Sequence, residues 1–269
     1  MRFLAPARTQ VAPERFGHPV FAGYLRHLDL LAGPTWPALA TLDERMAAVD
    51  PGIRFVRQDA SLLADGCHYE QRIAATGRVA TRPDNWHDLL NALVWIEHAP
   101  LKRALNARQV ADIAAHGPRQ RSRGQYALTH FDEAGVVVAL DDPDLLAAWD
   151  RHDWPALMAG QAAPWHGRAR PLVFGHALLE HALHPWPWLV AKALVVRADR
   201  PLAQQLGSLA DAIRAGEALT DPLQLRPLPL AGLPGWHPDT ALPDFHRRAP
   251  CFQPIRAGRR YPPPLSLLP

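Results

Sequence analysis

Proline restricts this chain more than any other residue, with 28 among 269 residues, about twice the usual share. Proline fixes its own φ, carries no N–H and biases the preceding residue away from helix, so each one tends to begin or end an element. The distribution is uneven: Pro222, Pro227, Pro229, Pro234, Pro238, Pro243, Pro250, Pro254, Pro262, Pro263, Pro264 and Pro269 all lie from residue 222 onward. That density excludes a long helix or a central strand there. Trp236, Phe245 and Phe252 are spaced through the same stretch, which is not the composition of a solvated linker. The expectation is one domain over residues 1–221 with a proline-rich arm, residues 222–269, extended over it. The alternative is that the arm recognises another protein.

The remaining composition is that of a globular chain, 48% hydrophobic and 20% charged. The basic residues number 29 against 26 acids, and all but Lys102 and Lys192 are arginine. A net charge of +3 with this Arg, Ala and Pro bias points to GC-rich coding more than to a nucleic-acid surface. No apolar run approaches the roughly 20 residues of a membrane span. Arg2, Pro6, Arg8 and Pro13 interrupt any signal-peptide core. The expectation is therefore a soluble, cytoplasmic protein that does not engage a membrane. Cys67 and Cys251 make neither a disulfide framework nor a cysteine-rich zinc site. There is no fixed-period repeat, and no dinucleotide glycine motif, Walker loop, nucleophile elbow or Cys-x-x-Cys pair is present.

Periodicity predicts helices over residues 37–49, 69–75, 84–99 and 101–115, with Asp84 capping the third and Pro100 in the first turn of the fourth. Residues 53–56 read as a short strand. Residues 126–131 and 136–140, β-branched and aromatic on either side of Asp132-Glu133-Ala134-Gly135, read as an antiparallel β-hairpin. Asp142-Pro143 opens a further helix, residues 175–183 and 201–214 are helical in pattern, and the apolar run 189–196 suits a strand or a helix. The fold class is α+β, helix-rich, with a small antiparallel element.

Two constellations carry candidate chemistry. On a helical wheel His87, Asn91, Val94 and His98 share a stripe beside the apolar face of Trp86, Leu89, Leu93 and Ile96. In Gly175-His176-Ala177-Leu178-Leu179-Glu180, His176 and Glu180 stand one turn apart, a spacing that can chelate a metal. If both helices face the Asp132-Glu133 tip, imidazoles and carboxylates converge as in a metal-assisted hydrolase. In that reading a divalent metal is held by His176, Glu180 and His87, with His87, Asp88 and Asp132 catalytic. Asn85, Asn91 and the alternating Arg119, Arg121 and Arg123 bind a small anionic, possibly phosphate-bearing substrate. The competing reading is a non-catalytic module that binds RNA or an acidic protein through the arginine loop and the aromatic arm.

The runs Tyr69-Glu70-Gln71-Arg72-Ile73, Asn85-Trp86-His87-Asp88, Asn91-Ala92-Leu93-Val94-Trp95, Val173-Phe174-Gly175-His176 and Gly232-Leu233-Pro234-Gly235-Trp236 resemble a bacterial family, domain of unknown function 3025. The likeness covers most of the chain from about residue 50 and implies no particular chemistry. His130 stands where that family's pattern has an apolar residue.

Overall fold

A computed structural model describes residues 3–117, 120–185, 188–242 and 244–267. After 3-10 turns begun by Pro13 and Pro19 come helices α1 (Leu28–Leu31) and α2 (Leu39–Ala47), strand β1 (Arg54–Arg57), α3 (Ala60–Leu63), α4 (Tyr69–Thr76) and β2 (Arg78–Thr81). The central helices follow: α5 (Trp86–Glu97), α6 (Ala99–His116) and α7 (Arg123–Ala134), which runs directly into β3 (Gly135–Ala139). Next are α8 (Pro143–Asp150), α9 (Trp154–Met158), α10 (Ala162–His166), β4 (Leu172–Val173) and α11 (His176–His181). The chain ends with β5 (Val190–Val196), α12 (Leu202–Ala215), β6 (Leu225–Pro229) and α13 (Phe245–Arg248). Helices dominate and the strands form two small sheets, so the class is α+β. Among the described residues no helix is long and apolar enough to cross a membrane.

β1 and β2 pair in parallel, and the larger sheet has the order β4-β3-β5-β6, with β3 and β5 parallel and both edges antiparallel. Every residue of β3 is buried. The helix α5 lies in the core as the wheel requires, with Trp86, Leu89, Leu93 and Ile96 all buried. Leu93 has no exposed surface, so Leu93→Ala should cost about 2 to 5 kcal/mol by the usual cavity and transfer terms. Urea unfolding measures this, and a loss below about 0.5 kcal/mol, far under that range, would remove α5 from the core.

The expected hairpin over residues 126–140 does not form. Ser122 caps α7, accepting from the Gln125 N–H while the Gln125 side chain accepts from the Ser122 N–H, a reciprocal capping box. Ala127, Leu128 and Phe131 are then buried at helical spacing, and only Gly135 to Ala139 extend as strand. Helix nucleation at Ser122 thus overrides the β-propensity of Tyr126, Thr129 and Phe131. Asp132 and Glu133 occupy the last helical turn rather than a loop tip. A second correction is at the start of α5. Asn85, not Asp84, is the cap, accepting from the Asp88 N–H at 3.1 Å, while Asp84 turns the chain at φ 54°, a conformation Asp tolerates.

The junction after α7 is set by two glycines. A Cβ on Gly135 would stand 2.2 Å from the Phe131 carbonyl oxygen, and one on Gly175 would stand 2.5 Å from the Ala134 Cα. The N–H groups of Phe174 and Gly175 both donate to the Gly135 carbonyl, at 3.0 and 2.8 Å. This main-chain contact seats the start of α11 against the end of α7.

The proline-rich segment begins with β6, which hydrogen-bonds to β5 as an edge strand, the position in a sheet where Pro227 and Pro229 are tolerated. Trp236, Phe245 and Phe252 are buried. Leu265 adds a parallel bridge to Val196.

Candidate metal centre

Three elements meet at one point. α5 presents His87 in its first turn, two residues after the Asn85 cap, α11 begins with the buried His176, and the last turn of α7 presents Asp132 and Glu133. The two Nε2 atoms of His87 and His176 are 3.0 Å apart, with the rings nearly perpendicular at 78°. Glu133 Oε2 lies 3.6 Å from His176 Nε2. One ligand atom each from His87, Glu133 and His176 falls within a 4.8 Å cluster. Two imidazoles on one zinc ion at bond lengths of roughly 2.0 to 2.1 Å and a tetrahedral angle stand about 3.3 Å apart, so the His–His spacing suits a shared ion.

The one-turn chelate expected from His176 and Glu180 is not what forms. The His87 ring is inserted between the two, with Nε2 toward His176 and Nδ1 at 3.0 Å from Glu180 Oε2. Because a carboxylate only accepts, His87 carries its proton on Nδ1. Glu180 thus fixes the tautomer and orientation of the His87 ring, the arrangement that outer partners of metal-bound histidines take.

The electrostatics separate the two histidines. The Glu180 hydrogen bond, working against burial, holds His87 above its ordinary pKa. Burial drives His176 down to about 3, so the ring stays neutral and keeps a lone pair for a cation. His176 Nδ1 is buried without a hydrogen-bond partner of good geometry, although the Asp132 backbone carbonyl acts on the ring. Burial raises the Glu133 carboxyl. At Asp132 burial acts in the same direction and is the largest single cause, but the Lys102 ammonium, 2.6 Å away, and the nearby His176 and His87 together leave the carboxyl below its ordinary value.

At the α5–α6 junction burial lowers His98 from 6.5 to about 4. Its unfolded form takes a proton below pH 6.5 and its folded form only below about 4, so stability falls as pH drops between those values, by about 3 kcal/mol in all. His98→Leu should flatten that part of the profile in urea unfolding at pH 7 and pH 5, and an unchanged slope would exclude His98 as the cause.

The centre opens into a cleft of about 400 Å³. Asn91, Asp88 and Arg121 line it, whereas Asn85 does not and serves as the α5 cap. Asp88 is held by Arg82, accepting from its Nε at 3.0 Å and its Nη2 at 2.8 Å, so it fixes a guanidinium rather than working as a free base. Asp132 is likewise tied to Lys102. The expected row of three arginines is broken: Arg123 pairs with Asp221 across the start of α7, Arg121 reaches the cleft, and Arg119 lies outside the described residues.

The model of a family described as protein of unknown function (DUF3025) matches residues 53–256, well over half of the chain. The chain belongs to the DUF3025 family. No curated protein and no solved structure matches it. The matched span contains His87, Glu133, His176 and Glu180.

Tyr69, Arg82 and Lys102, which surround this DUF3025 centre, escape a reading of the sequence. The Asp132-Glu133 pair is expected to meet the histidines from a hairpin tip, and Glu133 reaches the cluster from a helix end instead, since a turn residue and a helix-end residue look alike once the strand pattern is assumed. Lys102 had a signal in its rarity. In a chain that otherwise uses arginine, a lysine that is 5% exposed and donates 2.6 Å to Asp132 and 2.9 Å to Asn91 marks a position needing a compact ammonium.

Proposed function

We propose that this DUF3025 protein is a metal-dependent hydrolase acting on an anionic, phosphate-bearing substrate. The observation that carries the reading is the His87–His176–Glu133 cluster at the cleft wall, with Glu180 on the far nitrogen of His87. Two imidazoles and one carboxylate are a donor set that suits a catalytic zinc ion, and an ion held by His87, His176 and Glu133 would supply Lewis-acid activation of water in the cleft. The low pKa of His176 favours this use, because a metal needs its unprotonated form. Arg82, fixed by Asp88, and Arg121 offer guanidinium donors to an anion entering the same cleft. Water attacks the phosphoryl centre, the ester P–O bond breaks, and the water's proton is passed to the departing oxygen.

Recognition of RNA or an acidic protein through the arm has less behind it. Trp236, Phe245 and Phe252 of the arm are buried rather than offered for stacking, and Arg123 is already paired.

Calorimetric titration of untagged, chelator-treated protein with Zn²⁺ tests the reading, together with hydrolysis of p-nitrophenyl phosphate before and after metal addition. One equivalent of tightly bound zinc and metal-dependent turnover are expected. Protein that takes up no divalent metal sinks the proposal.

A further inference from the structure

The polar network behind the cleft has a direction. Lys102 can only donate, so the Asn91 atom it meets at 2.9 Å is the carbonyl oxygen, and the other end of that amide, Nδ2, is a donor. Nδ2 points to the Tyr69 hydroxyl at 3.2 Å. The Tyr69 oxygen is therefore an acceptor toward Asn91, and its own proton has no acceptor among the described residues. Tyr69 lies on the cleft wall and is 37% exposed. Lys102 is itself fixed by Asp132 and by the face of Trp95, 5.3 Å from its ring centre. The chain Asp132, Lys102, Asn91, Tyr69 thus delivers one oriented O–H donor to the cleft. Asn91 follows His87 by one turn of α5, which puts the two on one face of that helix, and Tyr69 lines the same cleft as His87, Glu133 and His176.

We propose that the Tyr69 hydroxyl donates a hydrogen bond to a non-bridging oxygen of a phosphoryl group bound at the His87–His176–Glu133 centre. This rests on the metal-centre reading given above and adds the ligand class. A terminal phosphoryl group has three free oxygens, and the cleft meets it with a metal ion, the Tyr69 hydroxyl and the guanidinium groups of Arg82 and Arg121, whereas a carboxylate has only two oxygens to offer. Tyr69 is substrate-binding in this scheme and Asn91 is the residue that positions it. Burial keeps the phenol above its ordinary pKa and so protonated.

Calorimetric titration of the zinc-loaded protein with inorganic phosphate tests the proposal. Tyr69→Phe should retain its zinc and bind phosphate about tenfold more weakly or worse, the size of one hydrogen bond to a charged group. Asn91→Asp separates this from a packing role, because a carboxylate at position 91 would accept the Tyr69 proton and turn it away from the cleft. In that background Tyr69→Phe should cause no further loss. Equal phosphate affinity in wild-type and Tyr69→Phe protein, zinc-loaded wild type that takes up no phosphate, or a full additional loss in the Asn91→Asp background would each overturn it. Failure of the wild type to take up zinc is a different result, which overturns the hydrolase reading and this proposal together.

Discussion

His176→Ala is expected to abolish zinc uptake and leave a folded protein. The His176 ring would supply one of the three ligand atoms that the cluster offers among the described residues, so its loss should exceed the roughly 10- to 100-fold cost of removing an outer partner. Glu180→Gln, which alters only the group behind His87 Nδ1, should fall inside that 10- to 100-fold range. The ordering of the two variants is the useful measurement, obtained by competing a chromogenic chelator for zinc. If instead the histidines only bond one another, His176→Ala should change stability by about 1 to 3 kcal/mol with no metal to lose. A Glu180→Gln defect larger than that of His176→Ala would mean that Glu180 is the direct ligand.

Deleting residues 222–269 should give insoluble protein or a chain without a cooperative unfolding transition. The cut removes β6, leaving the ladder edge of β5 from Val190 to Leu194 unpaired. It also removes the Pro227 carbonyl that accepts from Trp149 Nε1 at 2.7 Å, and the buried Arg226 that donates 2.6 Å to Asp150. Trp236, Phe245 and Phe252 go with it. An apolar strand edge uncovered in this way invites pairing with other chains. Light scattering and thermal unfolding report the outcome, and a truncated chain that keeps its solubility and its midpoint would show that the arm is dispensable to the core.

Several helix boundaries were legible from a cap or a proline. Asp142 with Pro143 opens α8, Pro100 sits in the first turn of α6, and Gly77, at φ 68°, closes α4. The failure at α7 has the same physics: Ser122 and Gln125 form a capping signature three residues apart, and the β-branched and aromatic content that follows drew the reading away from it. At the site, residue types and one-turn spacings singled out His87, His176 and Glu180. Which of them face one another could not be read, because their order around the His87 ring depends on how α5 and α11 pack. Glu133 depends in addition on α7 ending where it does. Local periodicity places a side chain on a face; only tertiary contact decides what that face meets.

The glycine contact between residues 134–135 and 175 separates the shape of the centre from its chemistry. Main chain rests on main chain there, so the contact that seats the start of α11 against the end of α7 does not run through the side chains at positions 132, 133 and 176. If the centre holds a metal, a change of side chain at 133 or 176 would then alter the donor set while this backbone contact stayed in place, and the framework would admit different metal preferences through those two positions.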